Sequence, residues 1–200
     1  MDELAKIICT QVPQNAVDYC LSFGRDYSFK FKLSSDRKTK AGDYKYLPSD
    51  SRHYISVNSG LNKYAFLITY IHEVAHLVAF DTYGRKISPH GKEWKYTFRK
   101  LMFPLLTPEI FPPDLLKIIA KHLKNPRAST HADQYLVKEL QKYDSNEGLL
   151  SLDSTMYGTV FILNGKTYKR MEKRRTRIVC MQITTDRKYL VAGTTLVIPL

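Results

Sequence analysis

Apolar residues recur at helical spacing over residues 2–10 and again over 14–23, with Pro13 at the break and Gly24 where a helix C-cap belongs. Two strands follow. Over residues 27–33, Phe29, Phe31 and Leu33 alternate with Ser28, Lys30 and Lys32, and over 53–58 Tyr54 and Ser56 are offset from Ile55 and Val57. The polar, Lys-rich segment between them, residues 34–51 with Gly42 and Pro48, reads as a hairpin or an extended edge beside a substrate cleft. A long central helix is expected over 63–81, ended by Gly84. Another is expected over 89–103, with Ser88 as N-cap and Pro104 as stop. Amphipathic helices over 114–123 and 133–143 are assigned to packing. After Asp144-Ser145-Asn146-Glu147-Gly148 the period changes to that of strands: 159–163, 166–170, 176–184 and 189–199.

The chain is 200 residues long and 44% hydrophobic, enough to bury a real core. Its three cysteines, Cys9, Cys20 and Cys180, are far apart and odd in number, so they are expected to be buried thiols in a reducing compartment rather than a disulfide framework. Met1-Asp2-Glu3 opens no apolar leader, and the apolar stretch 64–80 is interrupted by Thr69, His72, Glu73 and His76. The expectation is a soluble, cytoplasmic monomer with no membrane partner. The formal charge of +12 favours polyanionic partners such as nucleic acid. It is unevenly spread: residues 151–200 carry nine basic and three acidic side chains, net +6 in a quarter of the length.

Within the expected central helix lies His72-Glu73-Val74-Ala75-His76, an HExxH pattern. Residues four apart stack on one helix face, so two imidazoles converge on one point while Glu73 projects beside it. That donor set suits one Zn2+ per chain, with Glu73 taking the proton of the attacking water. Two residues compete to be the third ligand. His90 lies 14 positions after His76, past a Gly84-Arg85-Lys86 turn, and is the better placed. Asp81 is about 140° around the helix from His76 and suits a cap or a supporting role. The bland alternative is a set of hydrogen-bonded core histidines, which would bury three polar side chains at considerable cost. Tyr83 and Tyr96 are possible oxyanion donors, but fourteen tyrosines leave neither singled out.

At these residues the chain resembles the SprT-like family, the group that includes the Spartan proteases of DNA–protein crosslink repair. The likeness lies in His72-Glu73-Val74-Ala75-His76 followed by His90-Gly91-Lys92-Glu93-Trp94. It covers roughly residues 1–125. The resemblance implies His90 as third ligand and a compact helical, zincin-like metalloprotease core with the strands over 27–58 beside the active-site helix. With a small antiparallel sheet there and the small C-terminal β unit read from the strand period, the expected fold is α+β. Many bacterial members continue into a zinc ribbon built on paired cysteines, whereas this tail has Cys180 alone and offers no second site of that pattern.

The expected organisation is a metalloprotease domain over 1–130, a helical connector over 131–150 and a basic, metal-free β subdomain over 151–200. In the last, Lys166, Lys169, Arg170, Lys173, Arg174, Arg175 and Arg177 form a basic run near Tyr168 and Tyr189, a composition suited to single-stranded or damaged DNA or, equally, to a solvated strand face. The leading expectation is a zinc endopeptidase cleaving proteins on or near DNA, its peptide extended along an edge strand near residues 54–58. Its rivals are a nucleic-acid-binding module with a structural or vestigial zinc site, and a metal-dependent hydrolase of a non-peptide bond.

Overall fold

A computed structural model of the chain describes residues 3–35, 40–127, 133–145 and 148–200. The expected helix start at Asp2, residues 36–39 of the polar segment, residues 131–132 of the connector and the Asn146-Glu147 pair of the turn lie outside these. The chain divides into two compact units, Met1–Asp144 and Ser145–Leu200.

The first unit opens with α1 (Glu3–Gln11), a 3-10 turn (Gln14–Ala16) after Pro13, and α2 (Val17–Asp26). Gly24 does not cap α2, which continues two residues past it. Its role is close approach, since a Cβ there would lie 2.6 Å from Leu4 of α1. Strands β1 (Phe29–Ser34), β2 (Gly42–Leu47) and β3 (Arg52–Asn58) form a sheet in the order β1-β3-β2. It is mixed rather than antiparallel throughout: β1 runs parallel to β3, with Phe31 opposite Ile55, and β2 antiparallel to it, with Tyr44 opposite Ile55. This corrects the expected peptide-binding edge. Residues 54–58 lie in the central strand, both of whose edges are already paired, so the free edges belong to β1 and β2, of which β2 carries Tyr44 against His76.

Helix α3 (Lys63–Tyr83) runs through the core. The Asn62 side chain accepts from the amides of Tyr64 and Ala65, a cap worth about 1 kcal/mol. Every residue from Phe66 to Ala75 is buried, as befits a helix apolar around most of its circumference. Gly84, at φ 79°, ends it where an L side chain would be strained. Helix α4 (Lys92–Met102) begins three residues later than expected. The Gly91 amide donates to Ser88 O and His90 adopts φ 58°, so Ser88 closes a turn instead of capping a helix. The 3-10 turn Phe103–Leu105 carries Pro104 and stops α4. Helices α5 (Pro113–Lys124) and α6 (Gln134–Gln141) add Leu115, Ile119, Leu136 and Leu140 to the same core.

The second unit is an antiparallel sheet of β4 (Leu150–Ser151), β5 (Val160–Leu163), β6 (Lys166–Arg174), β7 (Arg177–Gln182), β8 (Lys188–Ala192) and β9 (Leu196–Pro199), in the order β4-β9-β5-β6-β7-β8. Leu152, Phe161, Ile178, Cys180 and Val197 form its own core. The single strand expected over 189–199 is split at Gly193, whose carbonyl accepts from Asp153 N and whose missing Cβ leaves room for the Asp153 carboxylate. The architecture is α+β. Cys20 and Cys180 are buried, but Cys9 is exposed, contrary to expectation. Among the described residues no helix is long and apolar enough to cross a membrane.

Candidate metal centre

Helix α3 carries His72, Glu73 and His76 one turn apart, and the loop after Gly84 returns His90 to them. The three imidazoles meet through the same nitrogen: His90 Nε2 lies 3.1 Å from His72 Nε2 and 3.0 Å from His76 Nε2. Nitrogens held by a tetrahedral zinc at ~2.0–2.1 Å would lie roughly 3.3 Å from one another, so the donor set fits such an ion with little adjustment. Asp81, the rival ligand, is exposed and stands outside this group. Burial, and then the neighbouring imidazoles, hold His72 down at about 2 and His76 at about 3; burial also lowers His90. All three are therefore neutral at physiological pH, the form that binds a metal.

Trp94 of α4 braces the cluster. It is fully buried, its Nε1 donates to His72 O at 3.4 Å, and its ring lies 4.5 Å from that of His72 and 4.7 Å from that of His90. On the opposite side β2 lies directly on α3. A Cβ at Gly42 would fall 2.5 Å from Glu73 Oε1, so only glycine lets the strand approach the carboxylate this closely. Burial first, and then the charge of Asp43, push the Glu73 carboxyl up to about 8, against a lowering by Lys40. A cation at the three imidazoles would favour the carboxylate form. Asp43 itself is ion-paired with Lys40 at 3.0 Å and Lys45 at 3.3 Å.

These groups border a cleft of about 530 Å³, walled by Lys40 to Tyr44 on one side and by Gly84, Arg85 and Ile87 to His90 on the other, with Phe80 and Trp94 in its lining. Sequence reasoning missed Gly42, Tyr44, Phe80 and Arg85. The signal lay in the polar segment, where Tyr44 and Tyr46 alternate with Asp43, Lys45 and Leu47 at strand period. Tyr44 stacks on His76 at 5.8 Å, and its hydroxyl is 3.0 Å from His53 Nδ1. Tyr83 and Tyr96, considered as oxyanion donors, are exposed and do not line the cleft.

The basic run of the second unit is dispersed. Lys173 pairs with Asp153 at 2.8 Å and Arg174 with Glu172 at 3.4 Å. Arg170 is half-buried and donates to Met171 O, and Arg177 donates to Leu190 O. Lys166, Lys169 and Arg175 are exposed and have no ion pair among the described residues. Tyr168 is half-buried, its ring stacked on Phe161 at 5.8 Å and edge-on to Tyr189, so it packs against the core rather than forming an open stacking platform.

A pair of histidines on a buried helix, completed by a histidine from the following loop and flanked by a glutamate, is the arrangement of a metalloprotease-type module. Residues 12–110 match the SprT-like family. It is similar to "Protein SprT" of Pseudomonas fluorescens strains SBW25 and Pf-5, in each case 52% identical over 31 residues, which is 16% of this chain and 19% of the relative. The match thus spans about a fifth of those relatives' length. No solved structure matches the chain.

Proposed function

We propose that the protein is a zinc-dependent endopeptidase of the HExxH type, acting on proteins on or near DNA. The observation that carries the catalytic part is the convergence of three neutral imidazoles at 3.0–3.1 Å beside a buried glutamate, in a cleft bordered by β2. His72, His76 and His90 would hold the metal. A zinc ion bound there would polarise the scissile carbonyl and lower the pKa of water to about 7. Glu73 takes the proton of the attacking water on its carboxylate and returns it to the leaving amine. Trp94 keeps the imidazoles aligned and closes one side of the site to solvent. The peptide adds as a strand to the free edge of β2, which Gly42 seats against Glu73.

Three protein ligands leave a fourth zinc position for water or substrate, which favours this reading over a structural or vestigial site closed by four protein ligands. Peptide rather than another substrate is favoured by the free strand edge beside the metal centre. The nucleic-acid part of the reading rests on the +12 charge and on the exposed Lys166, Lys169 and Arg175. The deciding experiment is zinc content and cleavage of an unfolded protein by wild type and Glu73→Gln. One zinc per chain in both, with cleavage by the wild type alone, is expected. Equal cleavage by Glu73→Gln would refute the assigned base.

A further inference from the structure

β2 and α3 run side by side, and their facing residues form a ladder. Gly42 lies against Glu73, Tyr44 stacks on His76, and Tyr46 packs on Phe80 with ring centroids 4.6 Å apart. The first two rungs serve the metal centre. The third does not, and Arg85 sits upon it. The Arg85 Nη2 donates to the Tyr46 hydroxyl at 2.7 Å, while the guanidinium carbon lies 4.5 Å from the Tyr46 ring centroid and 5.9 Å from that of Phe80.

Arg85 lines the cleft, yet it makes no ion pair among the described residues. Across the cleft Lys40 is neutralised by Asp43. A guanidinium carries five N–H donors, and the Tyr46 hydroxyl engages one side of the fork. Stacking and that hydrogen bond already restrict the side chain, so little freedom remains to be lost when a ligand arrives. The planar fork matches a carboxylate in charge and in shape.

We infer that Arg85 is a specificity-determining residue, receiving the acidic side chain of an extended peptide two or three residues from the bond at the metal centre. The inference rests on the peptidase reading of this cleft. A strand advances ~3.4 Å per residue, so Tyr46 stands roughly 7 Å along β2 from Tyr44 and the metal-centre rung. A peptide pairing antiparallel with β2 brings to Arg85 a residue on the N-terminal side of the scissile bond. The competing role is a latch, in which Arg85 merely fastens the His90 loop to Tyr46.

The test measures binding as well as cleavage. Zinc-loaded Glu73→Gln protein is titrated into fluorescent octapeptides in which one glutamate, glutamine or lysine is walked along an otherwise uncharged sequence. Glutamate at one or two adjacent positions should bind about fivefold to tenfold more tightly than glutamine there. Adding Arg85→Gln should erase the preference and Arg85→Glu should transfer it to lysine, while Lys86→Gln, an equal loss of charge next door, should leave it intact. Equal binding of all three peptides at every position, or no measurable peptide binding, overturns the assignment. So does a preference weakened equally by Lys86→Gln, or one that survives Arg85→Gln while zinc content falls, which is the latch result. Preferential binding of acidic peptides that the wild type never cleaves would keep Arg85 and refute the peptidase reading. Cleavage without preference would refute Arg85 alone.

Discussion

Gly42 and Glu73 touch across the seam between strand and helix: a methyl group at position 42 would fall 2.5 Å from Glu73 Oε1 and 2.8 Å from Thr69 Cγ2. The backbone of β2 and the carboxylate assigned as base are therefore positioned by one contact. Gly42→Ala must move the strand or the carboxylate by several tenths of an ångström. Misplacement on that scale costs up to about 100-fold in rate. The expected outcome is a 10- to 100-fold fall in kcat with zinc content unchanged, because the atoms nearest a Cβ at position 42 belong to Glu73 and Thr69 and not to an imidazole. Full activity in the variant would show that the carboxylate tolerates the shift and that the contact is packing alone.

The same geometry would make a bound metal a stabilising ligand of the fold. His90 stands in a loop with φ 58°, outside any helix, and among the described residues its ring packs on those of His72, His76 and Trp94. Metal that binds the native state and not the unfolded chain adds about 4 kcal/mol at a thousandfold excess over Kd. Thermal melts with zinc and with chelator should thus differ by many degrees in wild type. In His90→Ala the difference should shrink to near zero, with elemental analysis showing zinc lost. A melt independent of zinc in the wild type would remove the metal from the account of stability.

Asp133 offers a pH test away from the site. Burial opposes its ionisation, but the hydrogen bond with His122 Nδ1 at 2.8 Å and those from the amides of Leu136 and Tyr135 prevail and lower its pKa. A carboxylate whose folded pKa is depressed contributes stability that is fully present above its unfolded value, ~3.9, and is lost as pH falls through the folded value. Asp133→Asn should therefore cost about 1 kcal/mol at neutral pH, from the weaker hydrogen bond to His122 Nδ1 once the carboxylate charge is gone. The gap from wild type should narrow below about pH 4. A gap unchanged down to pH 2.5 would show that the carboxylate charge contributes nothing.

The core of the site was legible because α3 violates the usual pattern in an informative way: a helix apolar on nearly all sides still carries two histidines and a glutamate one turn apart. What burial by neighbours decides was harder to read. The β2 residues facing α3 are Gly42, Tyr44 and Tyr46, none strongly apolar, inside a Lys-rich stretch, so the strand beside the candidate metal centre read as either a hairpin or an extended edge beside a cleft, without its residues being assigned to the site. Ser88-Pro89 mimics a helix N-cap and N1 pair, which concealed the left-handed turn at His90. Gly24 resembled a C-cap, although its absent side chain admits Leu4 from another helix. In each case the local signal was satisfied by a tertiary contact that spacing alone does not contain.

The seven residues of the basic run in the second unit are unequal in consequence, and this makes the nucleic-acid reading testable. Lys173 and Arg174 have carboxylate partners at 2.8 and 3.4 Å, so a phosphate must compete with Asp153 or Glu172 for them. Lys166, Lys169 and Arg175 face solvent without such rivals among the described residues. For single strands, each phosphate neutralised contributes about 0.7 to the slope of log affinity against log salt. Replacing Lys166, Lys169 and Arg175 together by glutamine should lower that slope by roughly 2 and weaken binding of an oligothymidylate several-fold. Replacing Lys173 and Arg174 should change the slope by less than 1. Tyr168, stacked on Phe161 against the core, should affect stability rather than binding when changed to leucine. Identical salt slopes for wild type and the triple variant would place any polyanion elsewhere on the chain and return these three residues to the role of a solvated strand face.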